Sequence, residues 1–434
     1  MSEQHDDKNW FRRHRTGLIV GGGAAVLLAV GLAMVLPDLV GRKVKDDLYD
    51  GRLEAADYWT TTPEILSSGL GFDGVIGLPA LDEETVRGAG GAWASDLACG
   101  STTPDEKNRT SAVASDGLDA GYVLEDDTVV EYGDGLPVVF SWPVRTDTIH
   151  PSQFRFTLNT GAVVVATAAG DMPNWERNER NVVVVFGNFG NRIAPGEPGA
   201  EFPVRLDIVE GTQPLILAGP DGDRSAVGLS NTMDNSGYGV GPTLVGAKLN
   251  RVDPEPLGEG GVFGIENDLT PNDERALYGD AAKFRLRMLT TGGFKPDGVR
   301  GLHPDQFDQY FRLHADGPDG TTVVLDEVGV DYQVVGGTLR ILGLADLGRQ
   351  QSSYDDCYAE DGDNYIDVIL SGDETAARHI TALEMPGTEG GYQPLYNPGG
   401  PGPTPFPGVV YSEPSPPIIQ PVTIALDYPM RVDR

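Results

Sequence analysis

Lys283-Phe284-Arg285-Leu286-Arg287-Met288 places a large apolar residue at every second position and a cation at each position between. Successive side chains of an extended strand point to opposite faces, so this stretch predicts a strand with Phe284, Leu286 and Met288 on a core face. The cations on the other face are expected to pair with carboxylates across neighbouring strands rather than to bind an anionic ligand. The same period recurs at Phe154, Phe156 and Leu158, at Val204, Leu206 and Ile208, and at Val422, Ile424 and Leu426. Such alternation marks antiparallel strands buried on one side. Asn181-Val182-Val183-Val184-Val185-Phe186 breaks the alternation by being apolar throughout, which predicts a strand covered on both faces. Turn formers stand between these runs, at Gly133-Asp134-Gly135, Pro220-Asp221-Gly222, Pro318-Asp319-Gly320 and Gly336-Gly337.

An internal echo suggests two such units. Ile149-His-Pro-Ser-Gln-Phe154 and Leu302-His-Pro-Asp-Gln-Phe307 share the pattern apolar-His-Pro-x-Gln-Phe, each ahead of another apolar run. A repeat of domain size fits duplicated sandwiches. The phrase Phe140-Ser-Trp-Pro-Val-Arg-Thr-Asp-Thr-Ile149 resembles the lead-in to bacterial Ig-like domains of surface proteins, over about thirty residues, and the resemblance implies architecture only. The expected fold is mainly β, with one N-terminal transmembrane helix followed by two antiparallel β-sandwich-like, Ig-like units. The expected divisions are a cytoplasmic tail over 1–15, a membrane helix over 16–37 and a membrane-proximal region of unclear fold over 38–125. The first sandwich then spans 126–250, the second 251–393, and a Pro/Gly-rich strap with a final strand 394–434. That strap holds ten prolines between Pro394 and Pro421 and reads as extended chain, either lying over the last sandwich or docking a partner.

The membrane expectation rests on Gly17 to Leu36, twenty residues without a charged side chain. At about 1.5 Å per residue a helix of that length crosses the roughly 30 Å hydrocarbon layer while satisfying its own backbone. Lys8, Arg12, Arg13 and Arg15 precede it and Arg42, Lys43 and Lys45 follow, a bias that keeps the N-terminus cytoplasmic and the bulk of the chain outside. The lipid bilayer is thus one expected partner, through residues 17–36. A cleaved signal peptide, cut near Gly31-Leu32-Ala33, is the competing reading, and it too exports the chain. The 434 residues carry 65 Asp and Glu against 32 Lys and Arg, a formal charge of −33. Phosphate backbones would be repelled, which excludes a nucleic-acid partner.

The most pointed polar feature is the run from Asp355 to Asp367. Asp355, Asp356, Glu360, Asp361, Asp363 and Asp367 crowd six carboxyls into thirteen residues. Oxygen-only ligands of this kind favour Ca²⁺, and Asp361 and Asp363 have the spacing that opens a calcium loop. The EF-hand register then fails, because Ile366 stands where glycine is needed and Gly372 where a bidentate Glu is needed. Asp367 would also lie between Ile366 and Val368 on a strand, pointing away from a core they share. Outside the cytoplasm the two cysteines, Cys99 and Cys357, form a candidate disulfide. HExxH, CxxC, GxSxG and Walker motifs are absent, so no catalytic residues can be named. The expectation is a surface or envelope protein with a binding or structural role and an envelope or protein partner. The alternative is an extracytoplasmic carboxylate-dependent hydrolase acting on glycans, which needs no linear motif.

Overall fold

The computed structural model describes residues 53–69, 76–99, 109–110, 113–114, 123–124, 133–233, 243–252, 274–348, 351–360, 364–387 and 417–432, apart from single positions and short runs within them. Gly17–Leu36 lies outside the described residues, and among those described no helix is long and apolar enough to cross a membrane. The molecule is mainly β, built from several antiparallel sheets.

In chain order the strands begin with β1 (Ile65–Ser68) and a small region of β2 (Ile76–Leu78), β3 (Trp93–Ala94), β4 (Arg109–Thr110) and β5 (Val113–Ala114). There follow β6 (Val123–Leu124), β7 (Asp134–Phe140), β8 (Phe154–Leu158), β9 (Val163–Val165), β10 (Ala168–Gly170), β11 (Val182–Gly187) and β12 (Pro203–Ile208). A hairpin of β13 (Ile216–Gly219) and β14 (Gly222–Ser225) precedes β15 (Ser230–Thr232). The second half holds β16 (Leu244–Arg251), β17 (Phe284–Thr290), β18 (Arg312–Asp316), β19 (Thr322–Leu325), β20 (Tyr332–Val334) and β21 (Gly337–Ala345). It closes with β22 (Tyr365–Gly372), β23 (Ile380–Met385), β24 (Ile418–Pro421) and β25 (Thr423–Ile424).

The first sandwich stacks the sheet β1-β7-β11-β10-β6 on the sheet β15-β12-β8-β9. Leu136, Val138, Phe140, Val183 and Val185 from one sheet meet Phe154, Phe156, Leu206 and Ile208 from the other. The second stacks β20-β21-β22-β17-β16-β25 on β19-β18-β23-β24. Leu286, Met288, Val368 and Leu370 there meet Leu313, Leu383 and Met385. Strands β1 and β6 fall within 38–125, where no fold was legible, yet both belong to the first sandwich. Likewise β16 falls within 126–250 and β24 and β25 within 394–434, but all three complete sheets of the second. Gly133-Asp134-Gly135 is not a turn: Asp134 and Gly135 open β7, and the buried Asp134 carboxylate accepts from the Phe189 amide at 2.8 Å.

The two sandwiches repeat one plan. Order β1-β7-β11-β10 in one corresponds to β16-β17-β22-β21 in the other, and β15-β12-β8-β9 corresponds to β24-β23-β18-β19. The match extends to single residues. Leu66 is an extra residue in β1 between Ile65, opposite Phe140, and Ser67, opposite Val139; Val245 is extra in β16 between Leu244, opposite Thr290, and Gly246, opposite Leu289. Asn181 donates its amide to the Phe140 carbonyl at 3.0 Å, and Asn364 donates to the Thr290 carbonyl at 2.9 Å. The echoed glutamines also share a task, since Gln153 accepts from the His150 amide at 2.9 Å and Gln306 from the His303 amide at 2.8 Å.

The sandwiches pack back to back. Val139, Val182, Val184 and Phe186 on the outer face of the first sheet meet Leu289 and Tyr365 on that of the second, with Trp59 and the bulge residues Leu66 and Val245 around them. This seam explains the unbroken apolar run in β11: Val183 and Val185 face one core while Val182, Val184 and Phe186 face the other. Gly246 allows the close approach, because a Cβ there would stand 2.7 Å from the Trp59 ring. The two ends of the described chain meet beside it. Ala55 donates to the Val432 carbonyl at 3.0 Å, Val432 to Ala56 at 2.8 Å, and Tyr58 to Met430 at 3.0 Å.

Candidate functional site

The second face of β17, read from the sequence as facing water, turns into the seam. Arg287 is 0% exposed and Arg285 4%. Period two reports only that the faces of a strand differ; here the first sandwich covers the polar one. Arg287 stands directly opposite Asp367 on β22. Its Nε donates to Asp367 Oδ1 at 2.8 Å and its Nη2 to Oδ2 at 2.8 Å, the paired geometry that suits guanidinium and carboxylate. Nη2 also reaches Asp346 Oδ2 at 2.7 Å and Glu179 Oε1 at 3.7 Å, while Nη1 donates to Asp57 Oδ2 at 3.2 Å. One guanidinium thus gathers carboxyls from four chain segments. Glu179, just ahead of β11, belongs to the first sandwich; Asp346 and Asp367 belong to the second; Asp57 lies on the segment that pairs with the far end of the chain. The Tyr365 ring lies under Arg287, with Cζ 5.3 Å from its centroid.

A second cation completes the cluster. Lys248 on β16 is buried, with Nζ in contact with Asp57 Oδ1, 2.9 Å from the Met430 carbonyl and 5.2 Å above the Trp59 ring. Arg431 Nε lies 3.7 Å from Asp57 Oδ1, and Arg285 Nε 3.6 Å from Asp367 Oδ2. Burial opposes ionisation of Asp57, but the charges of Lys248, Arg287, Arg431 and Arg285 outweigh it and hold the carboxyl below its usual range. Burial pushes the Lys248 ammonium down to about 8, against the pull of Asp57. Asp346 goes the other way: burial and then the neighbouring Glu179 carboxyl raise it well above the ordinary value, against the pull of Arg287. Its positive φ of 64° is a conformation that Asp tolerates better than most residues. Buried charges are tolerated only when paired and hydrogen-bonded, and Asp57, Lys248, Arg287 and Asp367 at the centre of the cluster meet that condition. These carboxyls are 0–2% exposed, and of the four Asp57 and Glu179 reach from the side of the first sandwich to cations of the second.

The acidic run does not converge on one point. Asp367 is committed to Arg287 and Arg285 inside the seam, which removes it from a calcium set; it does point away from the core shared by Ile366 and Val368, but into the seam rather than into water. Asp355 accepts from the Cys357 amide at 2.9 Å. Asp356 pairs with Arg300 at 3.0 Å and accepts from the Ala98 amide at 3.1 Å. The Glu360 carboxyl lies against Gly301. Asp361 and Asp363 lie outside the described residues, and among the described residues no three His, Cys, Asp or Glu side chains are grouped to hold a metal ion.

Cys99 and Cys357 are joined, with Cα atoms 5.3 Å apart. The bond fastens the small region of β2–β5, with its apolar knot of Leu78, Val86, Ala89 and Trp93, to the loop before β22. The Asp356 contacts lie beside the same fastening.

Sequence reasoning reached Arg285, Arg287 and their pairing across strands, but not Asp57, Lys248, Glu179, Asp346 or Arg431. Lys248 does carry a signal, a lone cation inside the apolar run Leu244-Val-Gly-Ala-Lys-Leu249. No known protein family matches the chain, and neither a characterised protein nor a solved structure matches it.

Proposed function

We propose that the chain is a membrane-anchored, extracytoplasmic protein with a structural or binding role, a rigid two-sandwich body carried outside the bilayer by residues 17–36. The observation that carries this reading is the seam. Two sandwiches joined by an apolar contact and a multi-centre ion cluster behave as one stiff unit, whereas sandwiches joined by a linker alone would swing. A single dominant seam of this kind suits a spacer or a presenting platform. Three further features support it. The Cys99–Cys357 bond suits an oxidising compartment. The uncharged twenty-residue run has spanning length. A strongly acidic surface keeps an exposed body hydrated and separate from its neighbours.

The test is fractionation combined with protease shaving. The full chain should sediment with membranes, resist alkaline carbonate and enter detergent extracts, and protease added to the outside of cells should remove all but a short N-terminal fragment. Recovery of the intact chain from cytosol with both thiols reduced would overturn the proposal.

A further inference from the structure

Lys248 and Asp57 occupy a setting that no ordinary ion pair requires. Both side chains are 0% exposed, and Nζ touches Oδ1. The amine is enclosed by the Tyr58 and Met430 carbonyls, at 3.5 and 2.9 Å, and by the Trp59 ring. The other carboxylate oxygen, Oδ2, is held by Arg287 Nη1 at 3.2 Å, with Arg431 Nε 3.7 Å from Oδ1. We propose that Lys248 and Asp57 condense to an intramolecular isopeptide bond, Nζ to Cγ, that permanently clasps the first described segment of the chain to β16.

The chemistry balances without an oxidant or a cofactor. In a dry site a contacting ammonium and carboxylate can exchange a proton and become amine and acid, since both charges are costly there. Burial brings the lysine down to about 8, which favours release of its proton, while the cations around Asp57 hold that carboxyl low and oppose the uptake, so the attack proceeds from the minor neutral pair. The Nζ lone pair then attacks Cγ. The oxyanion that develops on Oδ2 is met by the Arg287 guanidinium, already placed and needing no rearrangement. Oδ1 departs as water, carrying two hydrogens from the original ammonium, and an amide remains.

The site suits the product as well as the reactants. An amide has one N–H and one carbonyl to satisfy. The N–H has the Met430 carbonyl, and the carbonyl oxygen retains Arg287. The reaction therefore removes a pair of buried charges while leaving the amide's own N–H and carbonyl partnered, which favours condensation over a persistent ion pair.

Mass spectrometry of the full-length protein, denatured and reduced so that the disulfide does not contribute, is the deciding experiment. The intact chain should weigh about 18 Da less than its sequence, one water, as a covalent modification of this kind requires. Trypsin cuts after lysine only when its amine is unmodified, so the site at Lys248 should be missed. The digest should then contain residues 53–87 linked to residues 225–251. A full sequence mass, together with an unlinked 225–248 peptide ending in Lys248, would overturn the proposal. Asp57→Ala provides the matching control, and its mass should equal its own sequence whether or not it folds.

Discussion

Arg287 and Asp367 face each other on neighbouring strands at the position where the first sandwich places Pro137 opposite Val184. An apolar pair in one copy of the plan has a charged counterpart in the other, and the charged pair lies inside the contact between the copies. Because Arg287 also serves Asp57, Asp346 and Glu179, it and Asp367 are not equivalent in weight. Arg287→Leu should cost about 3–5 kcal/mol, since it strands several buried carboxyls at once. Asp367→Val leaves Arg287 its other partners and should cost clearly less. Urea unfolding with unchanged m-values checks the order, and equal losses would contradict a hub at Arg287.

Asp346 gives the cluster a pH signature. Its folded carboxyl holds its proton above the ordinary value of 3.8, so the native state binds more protons than the unfolded chain once pH exceeds that value. The stabilisation from this group is complete below that point and is lost as pH rises toward the raised folded value. Asparagine mimics a protonated aspartate and accepts the same positive φ. Asp346→Asn should match the parent in stability near pH 3.5 and exceed it by a growing margin as pH rises from there toward the raised folded value. Parallel melting curves of the two proteins over that range would refute the assignment.

Tyr365 bridges the halves: its hydroxyl donates to Asn181 Oδ1 at 2.7 Å and its ring supports Arg287. Tyr365→Phe keeps the ring and removes the donor, leaving a buried acceptor unpaired. The expected loss is about 1–3 kcal/mol. Calorimetry should still show one transition for the two sandwiches. A change within experimental error would mean that the hydroxyl contact contributes nothing to the docking.

The disulfide fastens a region with a small apolar knot of its own. Reduction, or Cys99→Ser with Cys357→Ser, should loosen β2–β5 while leaving the sandwich cores intact. Early tryptic cuts at Arg87 and Arg109 should appear in the reduced protein, with the main melting transition moving little. Loss of that transition would show that the staple supports the whole body.

How far the sequence was legible follows from what each pattern reports. The alternation at Phe154–Leu158 and Phe284–Met288 marked the core faces correctly, because a core on one side imposes period two. It could not say what lay on the other side of Arg287, because that surface is covered by strands about a hundred residues earlier in the chain. Val182–Phe186 carried the compensating clue, an apolar face on each side, and it lies across the seam from Tyr365 and Leu289. The echo at Gln153 and Gln306 reflected a real repeat, whereas the deeper correspondence of Asn181 with Asn364 and of Leu66 with Val245 had no shared string to reveal it. Asp57 was invisible for a different reason. Its partners come from Lys248, Arg287 and Arg431, and nothing local distinguishes one aspartate among so many in an acidic chain.

The pairing of residues 55–58 with 430–432 also sets a schedule for assembly. Tyr58 and Tyr428, whose hydroxyls touch, are 370 positions apart, so the opening segment of the body waits for all of the intervening chain to be made before its neighbour arrives. Until then Asp57 lacks Arg431, and Lys248 lacks the Met430 carbonyl. Ribosomes that stop early would release chains with this latch undone and a carboxylate exposed, recognisable to quality control by an incomplete base rather than by a damaged core.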